Sequence, residues 1–268
     1  IQQIVLEAKK AKDYYLLLGP PGSGKTHFAV RHLVREFYSD PQQSILLMAY
    51  TNRAVDELCA MLEAGKLDYL RFGPELKCDE RYRDRLLKNA INDGDDCESI
   101  RQKIQRVRIV VGTIASLSGL TSLFQLKHFD VAIVDEAAQV LEPQLLSLLC
   151  GRINNEDYID KFILVGDHKQ LPAVVQQTRD KSAIPQGSIL RTAGLTDCRN
   201  SLFERLYRLH ENTSKGVIGK LTRQSRMHPL VGEFASRWFY DGELHSRDND
   251  HQTRELAFAN YDKTDPLE

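Results

Sequence analysis

The residues "GPPGSGKT" at 19–26 have the types and order of a phosphate-binding loop. In the run Gly19, Pro20, Pro21, Gly22, Ser23, Gly24, the glycines let the backbone turn its N–H groups inward around phosphate oxygens. Lys25 adds a point charge toward the terminal phosphates, and Thr26 offers a hydroxyl to Mg²⁺. An apolar run, "YYLLL", precedes the loop and a helical pattern follows it. That strand–loop–helix context adds the dipole of a helix N-terminus. The competing reading, a Gly-rich loop that binds nothing, is the weaker one because of these flanks.

The other half of such a site is an acidic residue at the end of a buried strand. "VAIVDEAAQ" (131–139) supplies two. Asp135 is placed to hold Mg²⁺, usually through water, and Glu136 to polarise an attacking water near the terminal phosphate. A third stretch, "LTRQSRMHP" (221–229), crowds Arg223, Gln224, Arg226 and His228 around one Met without helical or strand periodicity.

These residues need elements to position them. "YYLLL" (14–18), "SILLMAY" (44–50), "RIVVGT" (108–113), "DVAIVD" (130–135) and "KFILVGD" (161–167) are nearly continuous in apolar residues. Such runs fit strands buried on both faces of a parallel sheet. "THFAVRHLVREFYSD" and "EPQLLSLLC" read as helices between them, so the fold class is right-handed α/β. Residues 79–107 break the alternation and read as two charged helices around "DGD", an inserted helical hairpin (insertion about 74–107). Its surface is either a solvated face or a set of Arg and Lys residues over a nucleic-acid channel. Residues 176–188 form a polar loop, and "ELAFANY" (255–261) reads as the start of a further strand. Trp238 in "FASRWFYDGEL" reads as core rather than as a stacking platform.

Composition sets the limits. The chain has 268 residues, 42% hydrophobic and 27% charged, with formal net charge −1. No bulk basic field advertises a polyanion, so any grip on nucleic acid is local. The five cysteines show no CxxC and no His/Cys cluster, and read as reduced thiols of an intracellular protein. No apolar run reaches the ~18 residues of a membrane span. The chain begins inside a helical pattern without Met and reads as an excerpt of a longer one.

Taken in order, the motifs resemble those of superfamily 1 helicases. The closer likeness is to the 5′-to-3′ branch with the nonsense-mediated-decay RNA helicase and the replicative helicase–nuclease. "GPPGSGKT" is that branch's Walker A form, "AYTNRAVDEL" (49–58) is similar to motif Ia, and "VVGTIASL" (110–117) to motif Ic. "DEAAQ" is similar to motif II, "GDHKQLP" (166–172) to motif III, and "QSRMHP" to the element usually written QYRMHP. The resemblance spans about residues 14–244. It implies a P-loop NTPase with a RecA-like sheet, using ATP and Mg²⁺ to move along single-stranded DNA or RNA. It implies that Gln170 reports the γ-phosphate and that Arg226 meets it. It places Thr51, Asn52 and Thr113 along the strand, although Thr51 and Asn52 equally suit the cap of the helix "RAVDELCAML". His168 would orient the motif III loop.

Ser225 departs from the family, whose Tyr stacks on adenine, and the upstream glutamine motif is absent here. Residues 1–240 are then a first RecA-like motor domain, and 241–268 the linker or the start of a second motor domain of the same polypeptide. The expected protein is a monomer, cytoplasmic, or nuclear if eukaryotic, with no membrane partner. An ATP-dependent clamp or remodeller and a degenerate scaffold stay open beside the helicase.

Overall fold

The computed structural model of this chain describes residues 1–91, 96–211 and 216–247. Seven strands make one all-parallel sheet: β1 (Tyr14–Leu18), β2 (Ile45–Ala49), β3 (Leu70–Phe72), β4 (Ile109–Thr113), β5 (Val131–Asp135), β6 (Phe162–Gly166) and β7 (Ile218–Lys220). Their order is β3-β4-β2-β5-β6-β1-β7. The five apolar runs seen in the sequence are strands, each matching to within a residue or so. β3 and β7 were not foreseen, because three-residue edge strands carry too little pattern to read.

Alternate side chains of the strands feed two cores. Leu17, Leu47, Ile133 and Val165 pack on one face. Leu16, Leu46, Val134 and Leu164 pack on the other. Fully burying each such residue contributes roughly 1.5–3 kcal/mol, which is why the strands read as unbroken apolar runs. Helices cover both faces: α1 (Gln2–Lys10), α2 (Arg31–Tyr38), α3 (Asn52–Ala64), α4 (Cys97–Arg106), α5 (Glu142–Leu149), α6 (Leu202–His210) and α7 (Pro229–Phe239).

The insertion differs from the expected hairpin. Its first arm is two short pieces, a 3₁₀ stretch Glu80–Arg85 and a single turn Leu87–Ala90, and only the second arm, α4, is a regular helix. Leu86 stays extended between the two pieces and interrupts the arm. The "DGD" turn lies outside the described residues, as does "ELAFANY". The arm's basic side chains are paired: Arg81 with Asp79, Arg85 with Glu63 and Asp68, and Lys88 with Glu75. That pairing favours a solvated face.

Trp238 is not core. It is 69% exposed, and Leu230 and Phe234 on the same helix are exposed too. α7 packs inward through its small residues, Gly232 and Ser236, which leaves the large ones outside.

Candidate active site

The parallel register brings the site together at one edge of the sheet. Ala49 is level with Thr113 on one side and Asp135 on the other, and Leu18 is level with Gly166. Every strand therefore delivers its C-terminal residue to the same edge, where ligands bind in open α/β sheets.

The loop after β1 is anchored at its start by Gly19 N–H donating to Gly166 O at 3.0 Å. Gly22 and Gly24 sit in the left-handed region, at φ +73° and +81°. Ser23 closes the turn by donating to Pro20 O at 2.7 Å, and Lys25 Nζ donates to Gly19 O at 2.8 Å. The helix then opens with a π-helical stretch, Lys25–Val30, ahead of α2. Such bulges recur at functional sites.

Thr26 Oγ1 donates to Asp135 Oδ2 at 2.5 Å, joining the loop to the end of β5. Asp135 is 1% exposed. Burial raises its carboxyl to about 6, opposed by the Thr26 hydrogen bond and assisted by the neighbouring Glu136 charge. A buried carboxylate beside a hydroxyl, both hard oxygen donors, fits Mg²⁺. Glu136 follows in the left-handed region at φ +53°, its N–H donating to Asp135 Oδ1. For a residue with a side chain this conformation costs about 1–3 kcal/mol, the kind of strain that clusters at functional sites.

β6 lies between β1 and β5, so its end falls between the two halves of the site. Gln170 donates to Asp167 Oδ2 at 2.6 Å. Tyr240 donates to the same oxygen at 2.7 Å. His168 packs its ring on Tyr207, centroids 4.4 Å apart, and burial lowers it to about 4, so it stays neutral. That suits a residue that orients the loop.

Arg226 is brought to the loop by the backbone. Ser225 N–H donates to Gly22 O at 3.0 Å. A methyl group on Gly22 would lie 2.5 Å from Arg226 Cβ, so only glycine permits this approach. Gln224 builds the turn: fully buried, it accepts from Arg226 N and Met227 N and donates to Met227 O and Ser246 Oγ. Among the described residues no carboxylate pairs with the exposed Arg226 guanidinium. Ser225 lines a cleft of about 420 Å³ with Ile4, Phe28, Arg223 and Arg247.

Thr51 caps α3 by accepting from Ala54 N at 3.1 Å, so the capping reading holds for it. Thr113 is 6% exposed and accepts from Ser116 N, so its hydroxyl is largely spent within the fold. Asn52 opens α3 and is half-buried. Two contributors escaped the sequence reading, Asp167 and Tyr240, and Gln224 was singled out there without a role. Asp167 stands inside a quoted motif and was passed over for its neighbours. Tyr240 gives no local signal, because its partner is 73 residues away.

Residues 2–98 and 77–178 match an AAA domain family, and residues 198–267 match a second AAA domain family. The chain is 33% identical over 245 residues to the DNA replication ATP-dependent helicase/nuclease JHS1 of Arabidopsis thaliana, covering 91% of this chain and 16% of that protein. It is 30% identical over 246 residues to the DNA replication ATP-dependent helicase/nuclease DNA2 of Homo sapiens, covering 91% and 20%. The chain thus spans about a fifth or less of these relatives. Among solved structures it is similar to an arterivirus nonstructural protein 10 (helicase) with DNA, at 16% identity and TM-score 0.47, covering 92% of this chain and 43% of that one. With its motifs in family order and the family matches across both halves, the chain belongs to the AAA-domain family of superfamily 1 helicases.

Proposed function

We propose that this chain is the first RecA-like motor domain of a nucleic-acid-stimulated ATPase that translocates along a single strand and unwinds duplex. The observation that carries the reading is the Thr26–Asp135 hydrogen bond at 2.5 Å, which closes the two acidic and phosphate-binding halves into one site. The loop 19–26 holds the triphosphate, with Lys25 leaving Gly19 O for the terminal phosphates. Mg²⁺, held by Thr26 and Asp135, would neutralise charge on the phosphate oxygens. Glu136 orients and deprotonates the attacking water, its carboxylate free of hydrogen bonds among the described residues. Gln170 and Arg226 meet the γ-phosphate. Such an arginine contributes on the order of 10³-fold or more in rate.

The cleft beside Ser225 supports placing the base there, with the Phe28 ring or the Arg223 guanidinium in place of the family's stacking Tyr. The strand, DNA or RNA, runs over the sheet edge near Thr51, Asn52 and Thr113. Asn52 offers the freest side-chain amide, while Thr51 and Thr113 also hold their helices. Backbone N–H groups there suit sugar and phosphate contacts without reading sequence.

Residues 1–240 form this motor domain, with an insertion at about 74–107, and 241–268 lead into a second RecA-like domain of the same polypeptide. Among the described residues no helix is long and apolar enough to cross a membrane. The reading is of a monomeric intracellular protein, nuclear if eukaryotic.

The test is steady-state ATP hydrolysis by a polypeptide that carries this chain with its flanking sequence. Turnover stimulated by single-stranded DNA or RNA, and lost in Glu136→Gln with nucleotide binding retained, is the expected result. A folded protein with no turnover on any strand would sink the motor reading.

A further inference from the structure

We propose that Tyr240 is a positioning residue that frees Gln170 to move to the γ-phosphate, by keeping the buried Asp167 carboxylate satisfied when Gln170 leaves. The proposal rests on the reading of Gln170 given above. Its basis is that one oxygen, Asp167 Oδ2, accepts from both Gln170 Nε2 at 2.6 Å and Tyr240 OH at 2.7 Å. The other oxygen, Oδ1, accepts from Lys169 N at 3.0 Å. Asp167 is 3% exposed, so water cannot readily replace a lost donor.

For Gln170 to reach a phosphate, its amide must leave Oδ2. Were it the sole donor there, the move would strand a buried carboxylate oxygen, which is costly. Tyr240 removes that cost. Its hydroxyl is itself buried, and burial together with the Asp167 bond holds it protonated as a donor. With Gln170 gone, Tyr240 becomes the only donor on Oδ2 among the described residues, and its bond strengthens because the acceptor is no longer shared.

The same bond reaches α7. Tyr240 caps that helix, its N–H donating to Ser236 O at 3.0 Å. The other end of α7 begins three residues after Arg226, with His228 as its cap. One helix of 11 residues is therefore linked at each end to a residue proposed to meet the γ-phosphate: Arg226 through the chain, and Gln170 through Asp167 and Tyr240. Trp238, the sole tryptophan, lies on this helix two residues before Tyr240. It is a built-in reporter of the state of the latch.

The test measures binding of Mg-ADP and Mg-AMP-PNP to the 268-residue chain by calorimetry, alongside Trp238 emission. AMP-PNP should change the emission in a way that ADP does not, and Gln170→Ala should abolish the difference. Tyr240→Phe keeps the ring and deletes the donor. It should weaken AMP-PNP by about tenfold relative to ADP, the scale of a hydrogen bond to a charged group. In a Gln170→Ala background Tyr240→Phe should cause no further selective loss.

Equal weakening of both nucleotides by Tyr240→Phe would mean a merely structural tyrosine and would overturn the proposal. So would selective loss that persists without Gln170. If Tyr240→Phe does not fold, the emission of the parent chain decides: no AMP-PNP-specific change overturns the latch. A parent chain that binds neither nucleotide would instead overturn the motor reading itself, and the latch with it.

Discussion

Burial lifts the Asp135 carboxyl to about 6 because the tip of β5 offers it no water, and that has a consequence for stability. In the unfolded chain the group ionises near about 4. Below about pH 4 it is protonated in both states and folding feels no penalty. Between about 4 and 6 the unfolded chain loses its proton first, so stability falls as pH rises. Above 6 the cost is complete, on the order of 2–3 kcal/mol. Asp135→Asn, whose oxygen can still accept from Glu136 N while its amide donates to the Thr26 hydroxyl, should therefore raise the melting temperature of the nucleotide-free chain at pH 7.5. The gain should vanish near pH 4 in a thermal-melt series. The same substitution should abolish Mg-dependent nucleotide binding, since a neutral amide is a poor ligand for that cation. In the parent chain a proton and Mg²⁺ compete for one carboxylate, so Mg-nucleotide affinity should drop as pH falls through 6.

At the scale of elements, the turn 224–228 that presents Arg226 is built by one buried side chain. Gln224→Leu keeps the volume but leaves Arg226 N and Met227 N without their acceptor. We expect a loss of roughly 2–4 kcal/mol in denaturant unfolding, with nucleotide affinity falling further than the fold does. Unchanged affinity in a destabilised protein would show that the turn does not serve the site.

The contrast between what the sequence shows and what it hides follows from the range of the forces. β1, β2, β4, β5 and β6 were legible because burial on both faces forces apolar residues into consecutive positions. The neighbourhood of Thr26 and Asp135 was legible because their chemistry is concentrated in short motifs, and the structure brings the two together. The roles of Lys25, Thr26, Asp135, Glu136, Gln170 and Arg226 are those proposed above. β3 and β7 were invisible because three residues at an edge take their structure from a neighbour. The first arm of the insertion misled because charged residues at helical spacing occur equally in short 3₁₀ turns. Trp238 misled because large aromatic residues are usually buried, whereas α7 packs through Gly232 and Ser236. The Asp167–Tyr240 contact joins residues that no local pattern connects.

At the scale of the whole molecule, α7 carries five of the exposed large apolar side chains among the described residues. Leu230, Phe234 and Trp238 recur every four residues, one stripe of the helix. The emission of Trp238 in the free chain should be that of a water-exposed indole, readily quenched by iodide. A blue-shifted emission protected from iodide would contradict the position given to α7.

The strand order also governs how such a molecule can be made. Within this chain β1 precedes every other strand of the sheet, yet its partners are β6 and β7, which follow about 150 and 200 residues later. β2, β4 and β5 can pair with one another well before then. As the chain leaves the ribosome, its phosphate-binding strand must therefore wait without a ladder partner, apolar and open on both edges. Such long-range pairing makes for slow folding and exposes the nascent chain to aggregation. ATP cannot assist the early stages, because no complete site exists until β6 has slotted between β5 and β1. The strand that makes the enzyme competent is also the keystone that closes the sheet.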